Sequence, residues 1–386
     1  MNSFFASVEQ QANPSLRGKP VGICASLHPT SCLIAASKEA KAIGIKTGTL
    51  IAQAKQICPE IVLVQAEPEK YRAVNEGFNR IYLEYTPLVE RYSIDESFLD
   101  LRPTKLNPVS VAVEIKRRIK EEVGEWLTCS IGIGSNKFLA KLGSEIKKPD
   151  GLALVFREHL REIYRGRKFS DLWGLSRGWT KRLSQLGILT PTQLLDYPVQ
   201  NLISSFGKPG FYIWQRVQGL EEDEIIPSEN EAVQKSFGHS WVLNFRTTDK
   251  KRLEKVILRL SEKAARRMRR EGLLAYGFYF ALRQADGASF HQSRRLKYPI
   301  KQGLELFKLA KLMWQPWNIQ KNVTWMAVGF TGLKRSSAQI PLFPKKEDGL
   351  LAVLDKINDK YGEFSIRSGL LIDTQGFVPD AIAFGK

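Results

Sequence analysis

The sequence predicts an α+β protein of several domains, and three observations support this prediction. The chain has 386 residues, a length that corresponds to two to four domains of ordinary size. Strand and helix patterns alternate within the first 155 residues, and short helices separated by Gly and Pro follow from Phe169 onward. After an acidic stretch at residues 219–231, strands and helices alternate again, so we expect three structural regions.

Local patterns predict the elements of the first region. Residues 1–10 are expected to form a strand that enters a helix. Residues 67–84 are expected to form an amphipathic helix, because Tyr71, Val74 and Phe78 recur on one face. Shorter segments alternate between strand and helix, with strands at 21–24, 32–36 and 128–133 and helices at 38–42, 49–58, 111–123 and 136–145.

The last region contains the strongest helical pattern. Leu253, Ile257 and Leu260 form the apolar stripe of a helix over residues 249–271, which Gly272 ends. Alternating patterns predict strands around it, at residues 235–243, 275–283, 289–298 and 323–333, with a further helix between the last two.

A predicted hairpin in the first region contains the most informative acids. Residues 89–93 and 97–101 alternate apolar and polar side chains, so Asp95 and Glu96 fall at the tip between two strands. An isolated acidic pair is usually a solvated turn, but buried-strand flanks on both sides indicate the rim of a sheet. Carboxylate oxygens at such a rim suit Mg²⁺, which takes the rest of its ligands from water and phosphate. A neighbouring strand would normally add another acid, yet residues 1–5 offer Asn2 and no carboxylate.

Charge is concentrated in one part of the chain. The net charge is +18, and residues 234–338 contain 22 lysines and arginines against 6 acidic residues. Such a segment is either a solubilising surface or a module that binds a polyanion, most simply a nucleic acid.

Composition argues against several other classes of protein. We find neither a membrane-spanning run of 18 apolar residues nor a secretory signal, so we expect no membrane association and a cytoplasmic location. The four cysteines lack CxxC spacing, which argues against a zinc site or a disulfide framework.

Four motifs together resemble one known family. Residues 2–9 (NSFFASVE), 93–100 (SIDESFLD), 130–141 (SIGIGSNKFLAK) and 148–151 (KPDG) resemble Y-family DNA polymerases of the bacterial DNA polymerase IV and UmuC class. The motifs occur in the family's order at compatible spacing along most of the chain. The resemblance implies an error-prone, template-dependent DNA polymerase that adds dNTPs to a primed template during translesion synthesis.

The resemblance also implies a right-hand architecture. A ferredoxin-like palm would comprise residues 1–10 and 69–155, and small fingers residues 11–68. A helical thumb with a helix-hairpin-helix would follow at 156–227. Beyond a linker at 228–233, an α/β little finger would occupy residues 234–338, and a C-terminal tail residues 339–386.

Site residues follow from the same resemblance. Asp95 and Glu96 would be catalytic and would hold two Mg²⁺ ions together with the backbone carbonyl of Met1. Phe5 would be the steric gate that excludes ribonucleotides. The residues expected to contact the incoming nucleotide are Phe4, Phe5, Lys38, Lys41 and Lys148.

The family motif begins with an Asp that would directly precede Met1. Two explanations remain open: the start codon is placed too late, or the protein is a non-catalytic, clamp-tethered DNA-binding paralogue. We favour the first, because every later motif is intact. A palm-fold nucleotide cyclase would not explain the basic C-terminal region.

Two regions are expected to hold DNA. Residues 171–188 resemble a helix-hairpin-helix, in which turn amides near Gly174 and Gly178, with Lys181, would meet a phosphate; plain helical packing is the alternative. Residues on strands of the little finger would follow the phosphate backbone, namely Lys235, Ser236, Arg294, Arg295 and Lys297. We expect most of the basic cluster at 266–270 to be a solvated helix face.

Residues 339–343 resemble the bacterial peptide that binds the sliding clamp. Gln339, Leu342 and Phe343 would dock in an apolar pocket of the clamp, and the polymerase itself would be monomeric. The alternative is a loop that packs its apolar side chains onto the core.

Overall fold

The computed structural model describes residues 1–227, 234–335, 346–372 and 374, with the backbone alone for residues 346–348. The helices of these residues are α1 (Phe4–Ala12), α2 (Lys38–Ala42), α3 (Ile51–Ile57), α4 (Pro68–Leu83), α5 (Pro108–Arg118), α6 (Lys137–Ile146), α7 (Leu160–Tyr164), α8 (Arg177–Gln185), α9 (Pro191–Asp196), α10 (Val199–Phe206), α11 (Lys208–Val217), α12 (Lys250–Arg270), α13 (Gly303–Trp314) and α14 (Lys346–Tyr361). The strands are β1 (Val21–Cys24), β2 (Leu33–Ala36), β3 (Val62–Gln65), β4 (Val89–Ser93), β5 (Glu96–Leu99), β6 (Ile131–Gly134), β7 (Leu152–Val155), β8 (Ser236–Thr247), β9 (Leu273–Gln284), β10 (Ser289–Ile300) and β11 (Val323–Arg335).

A three-stranded sheet forms the first small unit. Its order is β2-β1-β3, with β1 antiparallel to β2 and parallel to β3. Leu33, Ile45 and Ile51 are buried between this sheet and the helices α2 and α3. The unit coincides with most of the residues expected to form the fingers.

Two further pairs of strands lie around α1, α4 and α5. β4 and β5 form the predicted antiparallel hairpin, and β6 pairs with β7 in parallel. Phe4, Phe78 and Ile115 belong to the common core of this region. A π-helical turn over Ile119–Val123 continues α5, so the predicted helix at 111–123 is confirmed with a change of helix type at its end.

The strand expected at the start of residues 1–10 is wrong, because α1 already begins at Phe4, whereas the helix that it was expected to enter is confirmed. Buried apolar side chains at Phe4, Phe5 and Val8 fit the helical period better than the strand period. Met1 and Asn2 instead lie between the two pairs of strands, where the Met1 amine donates to the carbonyl oxygen of Asp95 and the Asn2 amide to that of Thr128. In this region the described residues form two separate two-stranded sheets, β4–β5 and β6–β7, and not one continuous ferredoxin-like sheet.

Helices α7 to α11 build an apolar cluster that also includes side chains of α6, among them Phe138 and Leu142. Leu183, Leu194, Leu202 and Ile213 are buried at its centre. The hydroxyl of Tyr164 donates to a backbone carbonyl of α11, which closes the cluster from the side of α7. This all-helical region agrees with the expected composition of a thumb.

The C-terminal region is an antiparallel sheet of order β10-β9-β11-β8, covered on one face by α12 and α13. Phe278, Phe280, Val328 and Trp314 lie in the core between the sheet and these helices. The predicted strands and the long helix of this region are confirmed, each with small changes at its ends.

Helix α14 packs against α12 through ion pairs. The guanidinium of Arg269 pairs with Asp355 at 2.7 Å, and Arg266 pairs with Asp359. The side chains of Arg266 and Arg269 are only 10% and 13% exposed. The expectation that the basic cluster at 266–270 is mostly a solvated face is therefore wrong, because acidic residues distant in the sequence cover it. Within the described residues, no helix is long and apolar enough to cross a membrane.

Candidate active site

Asp95 and Glu96 lie at the tip of the β4–β5 hairpin. The turn is held from α4, where the side-chain amide of Asn75 donates to the carbonyl oxygen of Ile94 at 2.7 Å. The hydroxyl of Ser93 donates to Oδ1 of Asp95 at 2.9 Å. Both acids line a cavity of about 540 Å³ between the two pairs of strands.

Helix α6 brings a cation against the second acid. Nζ of Lys141 lies 2.5 Å from Oε1 of Glu96 and 3.1 Å from Oε1 of Glu145. Burial by itself would lower the pKa of Lys141, but the hydrogen bond and charge of Glu96 outweigh burial and raise it. Glu145 also accepts a bond of 2.6 Å from Lys148, so acids and lysines alternate along this row.

Two lysines from different elements approach each other beside these acids. Lys41 of α2 donates to the hydroxyl of Ser3 at 2.9 Å, and Lys148 lines the cavity. Burial lowers the pKa of Lys41, and the positive charge of Lys148 lowers it further. Two cations close enough to repel each other form a favourable position for an anion such as a phosphate.

Lys38, the other lysine expected to contact the nucleotide, has a different neighbour. Its amino group lies 4.8 Å from the ring centroid of Trp126, and Arg17 approaches the same ring to 5.2 Å. The structure therefore brings Lys41 and Lys148 together and leaves Lys38 in a cation–π contact.

The aromatic pair that begins α1 is buried. Phe4 and Phe5 are each 4% exposed, and the ring of Phe5 stacks on that of Tyr71 with centroids 4.4 Å apart and an interplanar angle of 16°. The hydroxyl of Tyr71 donates to Glu9 at 2.8 Å, and burial followed by this bond raises its pKa. The gate role of Phe5 stays a prediction, and Tyr71 is a support that sequence reasoning missed.

The described residues contain no group of three or more acidic, His or Cys side chains that could hold a metal ion. Asp95 and Glu96 nevertheless fit Mg²⁺, which is commonly bound by one or two carboxylates and completes its octahedron with water and substrate phosphates. Met1 lines the same cavity as the two acids, and the role expected for its carbonyl stays a prediction.

The motif at residues 148–151 forms a turn next to Asn2. Oδ1 of Asn2 accepts from the amide of Asp150 at 3.0 Å, and its Nδ2 donates to Ser130 at 3.1 Å. Lys116 also bonds Asp150. The contact of Lys116 could not be found from the sequence, because Lys116 lies inside a helix with several other basic residues and its partner is 34 positions away.

The turn expected to hold a DNA phosphate lies in the helical region. Gly174 has φ of +86°, and a Cβ there would lie 2.3 Å from a guanidinium nitrogen of Arg216, so only glycine fits. Gly178 and Lys181 are in α8. Because a three-residue 3₁₀ turn, and not a full helix, precedes this loop, the helix-hairpin-helix stays a prediction.

Side chains expected to contact DNA lie on both faces of the C-terminal sheet. Arg295 is opposite Gly277, and Arg294 is opposite Phe278, whose side chain lies in the core. Directly opposed residues point to the same face, so Arg295 projects from the open face and Arg294 toward the helical side. Ser236 begins β8 on the open face, opposite Thr331.

The remaining expected contacts are less defined. Lys235 directly precedes β8, and Lys297 lies 5.6 Å from the ring centroid of Tyr298. The clamp-binding residues Gln339, Leu342 and Phe343 lie outside the described residues, as do the expected linker and the end of the tail.

Comparisons with known proteins agree with this architecture. Residues 1–145 match the impB/mucB/samB family, and residues 234–342 match the C-terminal domain of that family. A protein named DNA polymerase IV from Pelotomaculum thermopropionicum is 34% identical, over 97% of this chain and 95% of its own. DNA polymerase IV 1 of Bacillus subtilis is 31% identical, over 100% of this chain and 95% of its own.

The fold has a counterpart among solved structures. A chimeric Y-family DNA polymerase superimposes with a TM-score of 0.73 at 24% identity, covering 87% of this chain and 98% of that one. The fold is therefore that of the Y-family polymerases. The chain belongs to the impB/mucB/samB family, together with the bacterial relatives named DNA polymerase IV, and the resemblance found in the sequence is confirmed.

Proposed function

We propose that this protein is a DNA-directed DNA polymerase that performs translesion synthesis by joining a dNTP to a primer 3′-OH at the rim formed by Asp95 and Glu96. The observation that supports it most is that an acidic pair on a hairpin and the cation Lys148 line one cavity. The charges of Lys148 and Asp95 also act on Lys41, so this second cation lies near the same groups. Adjacent positions for a divalent ion and for a triphosphate are what phosphoryl transfer requires.

Asp95 and Glu96 hold Mg²⁺ in this proposal. Bound there, the ions would lower the pKa of the primer hydroxyl and stabilise charge on the transferred and leaving phosphates. The chain itself orients the reactants: the hairpin fixes both carboxylates, and Lys141 holds Glu96 toward the cavity. Catalysis then depends on positioning and charge neutralisation.

Lys41 and Lys148 bind the triphosphate. Lys148 is 40% exposed, and the ion pair that it makes among the described residues is with Glu145, three positions earlier, so an incoming phosphate can compete for it. The first turn of α1, which contains Phe4 and Phe5, adds the positive end of a helix dipole. Phe5 lies in the same turn and would meet the sugar 2′ position.

The basic C-terminal sheet holds the duplex, and the peptide at residues 339–343 tethers the polymerase to the sliding clamp. Salt-sensitive, nearly sequence-independent binding is expected, because lysines and arginines meet phosphates and release counterions. Tethering would raise the effective concentration of the enzyme at a primer end. Replacement of Leu342 and Phe343 by alanine should weaken clamp pull-down, and an unchanged complex would exclude this role.

The polymerase proposal is tested by primer extension with the full chain, primed template, four dNTPs and Mg²⁺. Asp95→Ala should abolish extension and leave DNA binding near that of the unaltered protein. Glu76→Ala is the matched control, since this acid is exposed and pairs with Arg91 away from the cavity. Extension that survives in Asp95→Ala would contradict the metal assignment.

A second candidate is a non-catalytic, clamp-tethered DNA-binding protein. It is favoured by one observation: the described residues form no group of three possible metal ligands, although Asp100 and Asp223 line the cavity together with Asp95 and Glu96. DNA binding without extension would support this candidate. An in-frame Asp codon directly before the Met1 codon would support the polymerase.

A further inference from the structure

Lys116 extends from α5 toward the start of β6 and the turn that precedes β7. Its amino group donates to the carbonyl oxygen of Cys129 at 2.8 Å and to the carbonyl oxygen and Oδ1 of Asp150, each at 2.6 Å. The side chain is 17% exposed. An ammonium group has three protons, so these bonds use its full donor capacity on two chain segments that β6 and β7 join.

The turn that Lys116 holds has little freedom of its own. Asp150 has φ of +54°, in the left-handed region that a non-glycine residue rarely adopts because its Cβ is strained there. A Cβ on Gly151 would lie 1.8 Å from the carbonyl oxygen of Lys147. Asn2 and Ser130 accept from the amides of Asp150 and Gly151, at 3.0 and 3.3 Å. A conformation of this kind persists only where the surroundings fix it.

The charges and hydrogen bonds around Asp150 indicate that Lys116 is the residue that mainly fixes this turn. Burial alone would raise the pKa of Asp150, but hydrogen bonds from Lys116 and Lys120 outweigh it and lower that pKa. Lys120 is 42% exposed and reaches one carboxylate oxygen at 3.0 Å. Lys116 is more enclosed and also holds backbone carbonyl groups, so its loss would leave buried acceptors without a donor.

We propose that Lys116 is a positioning residue for nucleotide binding, because it fixes the turn from which Lys148 reaches the triphosphate. This inference rests on the proposed function, in which Lys148 contacts that triphosphate. Lys148 precedes Asp150 by two residues, and its charge acts on Lys41. A shift of the turn would therefore separate the two cations, while Asp95 and Glu96 on the other pair of strands would stay in place.

The test compares Lys116→Met with Arg118→Met. Arg118 lies on the same helix, is 15% exposed and pairs with Glu84 and Glu122. Its replacement therefore removes ion pairs of a cation about as exposed as Lys116, but away from the turn at Asp150. Lys116→Met should raise KM for dNTP about tenfold and change kcat by less than about twofold, since ground-state binding is lost and chemistry is not. Affinity for primed DNA should be unchanged. Arg118→Met should lower thermal stability without raising KM.

Hydrogen exchange gives a readout that does not depend on activity. The amides of Asp150 and Gly151 should exchange faster in Lys116→Met and not in Arg118→Met.

Lys116→Arg retains the charge and the hydrogen-bond donors, so its KM for dNTP should fall between those of the unaltered protein and Lys116→Met. This variant also serves as the test if Lys116→Met does not fold. An unchanged KM in both Lys116 variants, or unchanged exchange at the turn, would contradict the role of Lys116 alone. An unaltered chain that adds no nucleotide would contradict the proposed function, and this inference with it.

Discussion

Glu145 accepts a hydrogen bond of 2.6 Å from Lys148 and one of 3.1 Å from Lys141, so a single carboxylate links Lys148 to the lysine that bonds Glu96. The pKa of Glu145 would be raised by burial, but both lysines lower it. In the proposed function, a triphosphate would compete with Glu145 for Lys148, and a divalent cation would compete with Lys141 for Glu96. The two binding steps would then be coupled through side chains of α6 and the turn that follows it.

Lys41 and Lys38 should differ in their effect on nucleotide binding. Lys41→Met removes one of the two approaching cations, so we expect KM for dNTP to rise about tenfold, the loss of a charged contact of about 1.4 kcal/mol. Lys38→Met removes a cation–π contact with Trp126 and should change KM by less than about twofold. Steady-state kinetics on one primed template measures KM for dNTP in both variants. Equal changes in KM would contradict the assignment of nucleotide binding to Lys41 and not to Lys38.

Phe5→Ala should reduce discrimination against ribonucleotides. Removal of the ring opens space beside the first turn of α1, and the ratio of kcat/KM for dNTP to that for the matching ribonucleotide should fall by at least about tenfold. The same change removes the stack on Tyr71 and should destabilise the fold by about 3–5 kcal/mol. Phe78→Leu is the control, because Phe78 packs on Phe4 at 5.6 Å and should affect stability without affecting sugar selection. Unchanged selection in Phe5→Ala would exclude the gate role.

Arg295→Ala should weaken DNA binding more than Arg294→Ala. Arg295 projects from the open face of the C-terminal sheet, where small residues at Gly238 and Gly329 lie under the ring of Tyr279. Loss of one phosphate contact should make the plot of the logarithm of the DNA association constant against the logarithm of salt concentration less steep by about 0.9. Salt titrations monitored by fluorescence anisotropy measure this slope. The opposite order of effects would mean that DNA lies against the helical side.

Low pH should loosen α14 from α12. Hydrogen bonds from Arg266 and Arg270 lower the pKa of Asp359 below its ordinary value of 3.8. A depressed folded-state pKa means that the ionised form stabilises the fold above pH 3.8, and that this contribution is lost as the pH falls through the folded-state pKa. Asp359→Asn should therefore lower the thermal midpoint at neutral pH, and this difference should shrink progressively as the pH falls below 3.8.

Glu60→Gln is the control for the acid experiment. Glu60 is exposed in a turn before β3 and has no ion pair among the parts of the chain that the structure describes. Its replacement should leave the midpoint unchanged throughout the titration. An Asp359→Asn difference that persists at the lowest pH would show that the asparagine disturbs packing and not charge.

Local sequence was sufficient to predict the secondary-structure elements that depend on neighbouring residues. The β4–β5 hairpin and its acidic tip, the helix α4 and the strands and long helix of the C-terminal region all follow from periodicity and turn chemistry. Motif order was sufficient for the family, because four short segments in sequence are specific where each alone is not. The candidate acids Asp95 and Glu96 were found in this way.

Sequence periodicity gave the wrong prediction where a segment fits both a strand and a helix, and where a charged residue pairs with one distant in the sequence. The apolar run Phe4–Val8 fits a strand and a helix, and burial on both sides of α1 decides in favour of the helix. The basic cluster of α12 resembles a solvated face until the acids of α14, about 90 positions later, cover it. A charge pair of this kind leaves no local pattern in either segment.

The sequence by itself determined which family this chain belongs to, which hairpin bears its acids, and where its basic surface lies, because these depend on the order of residues along the chain. The tertiary structure decided that the charge of Lys148 acts on Lys41 while Lys38 contacts Trp126, that Arg294 and Arg295 point to opposite faces, and that Lys116 bonds the turn at Asp150. Those outcomes depend on the register of strands and the contact of elements far apart in the chain, which a linear pattern does not specify.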